Sequence, residues 1–283
     1  MKTKKYLVAG ALMLVMSSPA MAQEVNYAEA LKPIVAALEA APNDPKAAKD
    51  LIKEYQKTFK KNEEAMVALG NVYLLQHNYD QASAIAQSVI DNKKFNGALA
   101  YILRGDIAAL KDSVGNAGAA AAEYQTAISL DPQNVTAYER YAKVYRHVNA
   151  KVAVAKLEEL RKIKPDYPVE ATAAEIMLND GKYAEALKWY NMANPANMSE
   201  DNFYNYGFAA YITKDYSKAL DVAKQGLTKF PGSEYLSRIA MMAAVELKDY
   251  PQAVNFANAV FAGKGKKVSN DYDMYAKALC GNK

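Results

Sequence analysis

Small apolar residues recur at regular intervals among the larger apolar residues of this chain. The stretches NYDQAS, KYAEAL, DYSKAL and DYPQAV share an order in which a tyrosine precedes an alanine by three positions. A second small residue stands twelve positions before the alanine in the first three stretches, as Gly70, Ala174 and Gly207. The alanines are Ala82, Ala186, Ala219 and Ala253, and the last three are 33 and 34 residues apart. A period of this length predicts a solenoid, a stack of similar units.

Prolines mark the ends of these units. The stretches SLDPQN, KIKPDY and TKFPGS place Pro132, Pro165 and Pro231 after apolar runs with helical spacing. Proline cannot continue a helix and commonly follows a helix end, so each predicted unit consists of helices that stop before its proline. A glycine inside a helix costs about 1 kcal/mol, which indicates that Gly70 and Gly207 lie where two helices approach too closely for a larger residue.

The run AMVALGNVYLLQHNYDQASAI (65–85) combines Met66, Leu69, Gly70 and Tyr73 in one predicted helix with Ala82 in the next. This arrangement resembles the tetratricopeptide repeat (TPR) family, whose unit of about 34 residues is a pair of antiparallel helices, A and B. The unit that starts near Asp201 matches through Phe203, Tyr206, Gly207, Ala210, Ala219, Gly226 and Pro231. The resemblance implies an all-α fold, a right-handed α–α superhelix (solenoid) of about seven TPR-like helix pairs plus a C-terminal single helix.

We expect a single TPR solenoid domain over residues 23–283. The repeat near 98 has three extra residues in DSVGNAGAAAA, which predicts a longer turn between its helices, with a functional loop as the alternative. Residues 26–45 resemble a B helix that ends at a proline, but the repeat spacing counted back from Ala82 to Ala48 makes them an A helix, which we favour. The predicted repeats are about 29–62, 63–97, 98–134, 135–166, 167–199, 200–233 and 234–267, followed by a terminal helix at 269–283.

The first 22 residues have the composition of a secretory signal peptide. Three lysines and an apolar run at 6–16 precede Ala20-Met21-Ala22, which matches the small-residue pattern before a cleavage site. We therefore expect cleavage after Ala22, a periplasmic or secreted protein, and no membrane span, since no later apolar run is long enough. The only cysteine is Cys280, so no lipid anchor is expected at the cleavage point and no disulfide can form within the chain. A bacterial periplasm fits this cysteine content best.

The charge of the chain argues against nucleic acid as a partner. Three of the 35 Lys and Arg residues lie in the predicted signal peptide, so 32 remain against 31 Asp and Glu, a net charge of about +1. Nucleic-acid binding needs clustered positive charge on one surface. We expect no nucleic-acid partner.

The sequence predicts no catalytic, cofactor-binding or metal-binding residues. The two histidines, His77 and His147, fall in predicted turns between helices, without Cys or His partners at the spacing of metal ligands. No G-x-S-x-G, H-E-x-x-H or glycine-rich phosphate loop occurs. The chain is therefore not expected to be an enzyme; a buried carboxylate pair that opens on a cleft would favour a hydrolase instead.

Candidate binding residues follow from the second, fifth, ninth and twelfth positions of each A helix, which the resemblance places toward a concave groove. Toward the C-terminus these positions hold Tyr204, Phe208, Tyr211, Tyr235, Arg238 and Met242. The repeat near 135 holds Glu139, Lys143 and Arg146, with Arg140 beside them. Aromatic and methionine side chains beside an arginine suit a peptide-binding surface. The alternative is that neighbouring helices cover Phe208 and Tyr211 and leave no aromatic patch in the groove.

These observations favour a non-enzymatic scaffold of the bacterial periplasm or envelope, whose concave TPR groove binds another protein or an extended peptide segment. The alternative is an outer-membrane-associated protein that binds glycans for nutrient uptake, against which stand the single Trp189 and the missing anchor cysteine. Some TPR proteins bind a C-terminal carboxylate through a lysine and an asparagine at the fifth and ninth positions of one A helix. Here those positions hold Val67 with Asn71, Ile102 with Asp106, and Glu139 with Lys143. None of these three repeats therefore has the lysine and asparagine that bind such a carboxylate.

Overall fold

The computed structural model describes residues 26–41, 44, 46, 48–111 and 117–283, which form fifteen α-helices and one 3₁₀ turn and contain no β-strand. The all-α fold predicted from the sequence is confirmed. The predicted signal peptide and the predicted longer turn at 112–116 lie outside the described residues. The helices are α1 (Tyr27–Ala40), α2 (Lys49–Phe59), α3 (Glu63–Leu75), α4 (Tyr79–Ile90), α5 (Ala98–Lys111), α6 (Ala117–Leu130), α7 (Val135–Tyr145), α8 (Ala150–Ile163), α9 (Glu170–Asn179), α10 (Tyr183–Met192), α11 (Glu200–Ile212), α12 (Tyr216–Lys229), α13 (Glu234–Glu246), α14 (Tyr250–Ala262) and α15 (Ser269–Gly281).

Four turns share one structure that explains the repeated phrase of the sequence. They precede α4, α10, α12 and α14, and the middle residue of each has a positive φ angle: His77 59°, Gly181 73°, Lys214 65° and Lys248 60°. The residue after it donates its backbone N–H to a carbonyl five positions earlier, at 2.9 Å in all four turns. This Schellman arrangement satisfies the carbonyls at the end of the preceding helix. The repeated phrase is therefore a helix end followed directly by a helix start.

The next helix starts with a side-chain cap in three of these turns. The cap residues Asn78, Asp215 and Asp249 each accept a hydrogen bond from a backbone N–H three positions later. Such caps satisfy N–H groups that have no partner within the helix. Lys182 holds the same position before α10 and forms no side-chain cap.

The recurring small residues lie at close contacts between helices. Ala82 and Ala219 have no exposed surface. A Cβ atom on Gly70 would lie 2.4 Å from Leu103 Cδ2, and one on Gly207 would lie 2.9 Å from Ile239 Cγ2. Both distances are shorter than van der Waals contact, so glycine is what permits these helices to approach.

The chain divides between Val148 and Asn149 into two compact units. The first contains α1 to α7, with a core that includes Leu69 and Leu103. The second contains α8 to α15, with a core that includes Ile239 and Met241.

The odd-numbered helices stack on one another within each unit. In the first unit α1 contacts α3, α3 contacts α5, and α5 contacts α7; in the second, α9 contacts α11, α11 contacts α13, and α13 contacts α15. These helices correspond to the A helices of the predicted repeats. In the second unit α9, α11 and α13 therefore form one continuous layer, on which α15 packs against α13 and α14.

Candidate functional site

A cleft of about 440 Å³ opens on the layer formed by α9, α11 and α13. Its lining combines two phenol rings, two amides and two carboxylates, contributed by three successive A helices. The lining residues are Tyr204, Tyr235, Asn179, Asn205, Glu175 and Asp201. Two of the sequence-predicted residues, Tyr204 and Tyr235, are thus brought together at one cleft.

Tyr204 and Tyr235 form the aromatic part of the cleft. Their ring centroids lie 5.9 Å apart with an interplanar angle of 72°, the edge-to-face arrangement that aromatic pairs favour. Tyr204 is half-buried and stacks on Phe208 at 6.2 Å, whereas Tyr235 exposes 59% of its surface. Tyr235 therefore offers a partner a large aromatic surface whose position is fixed by a second ring.

Phe208 and Tyr211 are half-buried beside this pair. Phe208 packs against Tyr183, the first residue of α10, at 6.1 Å, and Tyr211 packs against Tyr216, the first residue of α12, at 5.4 Å. The Tyr211 hydroxyl donates to Glu246 at 3.4 Å. Burial, the Glu246 carboxylate and Tyr216 together raise the pKa of Tyr211. Neighbouring helices therefore cover part of each ring, as in the alternative in which they leave no aromatic patch, while the rest of each ring stays accessible.

Arg238 forms an ion pair within the fold. Its Nε and Nη2 atoms donate to the two oxygens of Asp271 on α15, at 2.6 Å and 3.0 Å. The Asp271 carboxylate is completely buried, and its hydrogen bonds raise the pKa of Arg238 against the opposing effect of burial. Met242 is half-buried and packs against the core of the second unit. Neither residue lines the cleft.

The polar lining residues Glu175, Asn179, Asp201 and Asn205 were missed by the sequence reasoning. Glu175 accepts a hydrogen bond from Asn202 Nδ2 at 2.5 Å, which fixes its carboxylate at the cleft wall. Asp201 is exposed in the first turn of α11, where negative charge is favourable. The rule that predicted Tyr204 also selects Glu175, the ninth position of the repeat near 167, and Asp201, the second position of the repeat near 200. The two asparagines lie outside the rule because they stand one position beyond the predicted ones.

The buried Tyr190 of α10 interacts electrostatically with Glu175, one of the residues that line the cleft. Its ring stacks on Tyr206 at 5.1 Å. Burial raises its pKa, and the Glu175 carboxylate raises it further. Tyr190 is therefore a neutral phenol at physiological pH, and the negative charge near it is that of Glu175.

The four charged residues predicted in the repeat near 135 lie on α7 and directly after it, in the first unit. Arg140 Nε lies 3.5 Å from Asp106 Oδ1, and Arg146 Nε donates to His147 Nε2 at 3.0 Å. Lys143 is exposed and Glu139 is half-buried. The cleft belongs to the second unit, so these four residues are not among its lining residues.

The described part of the chain contains neither a cluster of metal-binding side chains nor a membrane-spanning helix. It holds no group of three or more His, Cys, Asp or Glu side chains arranged to bind a metal ion. His77 and His147 are both exposed. Within the same residues, every helix is too short or too polar to cross a bilayer.

Comparison with known proteins extends the description of the fold. No family model and no curated protein matches the sequence. Among solved structures, PilF of Pseudomonas aeruginosa is similar with 16% sequence identity and a TM-score of 0.53, over 77% of this chain and 96% of PilF. A tetratricopeptide repeat protein of Parabacteroides merdae has 12% identity and a TM-score of 0.46, over 99% of this chain and all of that chain. The APC/C hetero-tetramer Cut9–Hcn1 has 16% identity and a TM-score of 0.45, over 96% of this chain and 55% of the matched chain. The all-α fold of successive helix pairs that the sequence predicts is confirmed, and PilF is similar to it in fold.

Proposed function

We propose that this chain is a non-enzymatic scaffold of the bacterial periplasm or envelope that binds an extended segment of a partner protein in the cleft on α9, α11 and α13. The observation that carries the proposal is the pair of Tyr204 and Tyr235, of which Tyr235 is 59% exposed at a cleft of about 440 Å³. Exposed tyrosines at a concave site are a common anchor for protein partners. The proposed location rests on the signal peptide that the sequence predicts.

The cleft chemistry suits an extended peptide. Asn179 and Asn205 each offer a donor and an acceptor, which matches the alternating N–H and C=O groups of an extended backbone. The aromatic pair supplies apolar area for a side chain of the peptide. A scaffold of packed helices holds these groups on rigid elements, so little conformational entropy is lost on binding.

The same lining favours binding over catalysis. A hydrolase that uses two carboxylates keeps one of them protonated by burial. Asp201 is exposed and Glu175 is half-buried, so the pair does not have the buried environment that such chemistry needs.

The proposal is tested by crosslinking from two tyrosine positions of nearly equal exposure. Tyr235 is 59% exposed in the cleft, and Tyr272 is 58% exposed on α15, outside the cleft lining. A photoreactive phenylalanine derivative is placed at one or the other position in the full chain, expressed in a bacterium that exports it. We expect one protein partner to be crosslinked from position 235 and not from position 272. Equal crosslinking from both positions, or none from either, would overturn the proposal. Recovery of polysaccharide alone would favour the glycan-binding alternative.

A further inference from the structure

Among the residues that the structure describes, Met192 is the methionine with the most exposed side chain. It is the last residue of α10, and 50% of its surface is open to solvent. The other described methionines are half-buried, as Met242 is, or buried, as are Met66, Met177, Met198, Met241 and Met274. Oxidants convert the thioether of methionine to a sulfoxide. Of these seven thioethers, that of Met192 is therefore the most accessible to an oxidant.

An arginine is held beside the Met192 sulfur. Arg161, in the last turn of α8, donates from its Nη1 atom to Met192 Sδ at 3.7 Å. The guanidinium of Arg161 also lies 5.7 Å from the ring centroid of Trp189, which is buried in α10 three positions before Met192. Arg161 Nη1 is 3.9 Å from the carboxylate of Glu170. The ring and the carboxylate thus keep the guanidinium next to the sulfur.

Oxidation changes how well Met192 can accept a hydrogen bond. A thioether sulfur is a weak acceptor, so the contact with Arg161 stabilises the reduced chain little. A sulfoxide oxygen is polar, and a hydrogen bond from a charged guanidinium is about twice as strong as one between neutral groups. Since Nη1 and Sδ are 3.7 Å apart, an oxygen bonded to the sulfur on this side lies within hydrogen-bond distance of the arginine.

We propose that Met192 is a reversible oxidation site, at which a hydroperoxide forms a sulfoxide that binds Arg161 and strengthens the link between α8 and α10. The sulfur lone pair attacks the hydroxyl oxygen of the hydroperoxide, so that an S–O bond forms and the O–O bond breaks. The proton on the transferred oxygen moves to the leaving oxygen, which departs as an alcohol or as water. The sulfur loses two electrons, and the peroxide gains them. Methionine sulfoxide reductase restores the thioether. The proposal is independent of partner binding in the cleft.

The first test identifies which methionine reacts when the folded full chain is treated with dilute hydrogen peroxide. The chain carries Cys280→Ser, because peroxide also oxidises an exposed thiol. Mass spectrometry of its peptides should show sulfoxide at Met192 well before Met242, and the sulfoxide should disappear after treatment with methionine sulfoxide reductase. Oxidation of Met242 at the same rate as Met192, or a sulfoxide that the reductase does not remove, would overturn the proposal.

The second test determines whether Arg161 binds the sulfoxide. The urea midpoint of unfolding is measured before and after oxidation in the Cys280→Ser chain and in the same chain with Arg161→Leu. We expect oxidation to raise the midpoint of the first chain and not of the second. Loss of the other contacts of Arg161 affects both oxidation states of the variant, so the difference isolates the contact with Met192. A midpoint that falls on oxidation of the first chain would overturn the proposal.

Two further variants assign the effect to this pair of residues. Met192→Leu should show no change of midpoint after the same peroxide treatment, because its side chain has no sulfur. Arg104→Leu is the matched control, since Arg104 also lies over an aromatic ring, 5.6 Å from that of Tyr101, but belongs to the first unit. Oxidation should raise the midpoint of Arg104→Leu as it does that of the Cys280→Ser chain. An equal rise in Arg161→Leu and Arg104→Leu would contradict the role of Arg161.

Discussion

Two arginines that the sequence predicts at the groove, Arg140 and Arg238, form ion pairs of different geometry. Each contacts a carboxylate on the neighbouring A helix, Arg140 on α7 with Asp106 on α5 and Arg238 on α13 with Asp271 on α15. The first pair has one contact at 3.5 Å, and its arginine is 34% exposed. The second has two hydrogen bonds at 2.6 Å and 3.0 Å, and its arginine is 17% exposed.

The pKa values of the two carboxylates are shifted in opposite directions, although burial acts to raise both. Burial raises the pKa of Asp106, although Arg140, the hydroxyl of Tyr124 and Lys143 oppose it. Burial also acts to raise the pKa of Asp271, but hydrogen bonds from Arg238 and from the backbone N–H of Val268 hold it below its usual range. At Asp271 the bidentate arginine and the Val268 N–H together outweigh desolvation, whereas at Asp106 the long arginine contact, the Tyr124 hydroxyl and Lys143 do not. An arginine on an A helix can therefore serve to join two repeats, and only the geometry shows how strongly.

The largest expected effect comes from breaking the stronger pair. Arg238→Met leaves the completely buried Asp271 without its partner, so we expect the free energy of unfolding to fall by about 3 kcal/mol, measured by urea denaturation. In the double variant Arg238→Met/Asp271→Asn the buried charge is absent, and the loss should be smaller than in Arg238→Met. An equal loss in both variants would mean that packing of the arginine stem, and not the ion pair, joins α13 to α15.

Loss of the hydrogen bond from Tyr124 to Asp106 should lower the free energy of unfolding by an intermediate amount. The hydroxyl of buried Tyr124 donates to Asp106 at 2.7 Å, so Tyr124→Phe should lower the free energy of unfolding by about 1.5 kcal/mol. Tyr235→Phe, at an exposed ring in the cleft, is the control and should leave stability unchanged. No loss in Tyr124→Phe would indicate that water replaces the hydroxyl.

Arg140→Met should have a smaller effect than either. Arg140 is one-third exposed and Asp106 keeps its bond from Tyr124, so we expect a loss of about 1 kcal/mol or less after solvent screening. The same urea titration gives the comparison with Arg238→Met. A loss as large as that of Arg238→Met would contradict the difference between the two pairs.

Much of the fold could be predicted from the sequence because its signals are local. The turn before α12 needs only a residue that tolerates positive φ, Lys214, and a cap residue, Asp215, and both stand in the repeated phrase. The two ion pairs also carry a signal that the reasoning overlooked. Asp106 and Arg140 are 34 residues apart, and Arg238 and Asp271 are 33 apart, which is the spacing of equivalent positions in neighbouring repeats.

The cleft was harder to predict because it depends on how three helices pack. Tyr204 and Tyr235 are 31 residues apart and occupy different positions of their repeats, so the repeat period places both in the predicted groove but does not pair their rings. The sequence predicted a surface that is both aromatic and basic, but the predicted cation, Arg238, forms an ion pair with Asp271. That ion pair depends on a carboxylate in α15, which follows the repeat that contains the arginine.

The fourth prediction, with the smallest expected effect, concerns pH. The contributions of Asp271 and Asp106 to the free energy of unfolding should change with pH in opposite directions. The pKa of Asp271 is lowered in the folded state, so its contribution to stability is fully present above its unfolded pKa and is lost as pH falls through the folded pKa. The pKa of Asp106 is raised in the folded state, so ionisation of Asp106 weakens the fold as pH rises from the unfolded to the folded pKa.

The test measures the free energy of unfolding of the original chain, of Asp106→Asn and of Asp271→Asn as a function of pH. Relative to Asp271→Asn, the original chain should lose stability as the solution is acidified below about pH 4, the usual carboxyl pKa. Relative to Asp106→Asn, it should gain stability as pH is lowered toward that same value from above. The two difference curves should therefore slope in opposite directions, because a buried carboxylate stabilises a repeat junction only where its hydrogen bonds replace all the water it loses. Curves of the same sign would show that Arg140 compensates Asp106 as fully as Arg238 compensates Asp271.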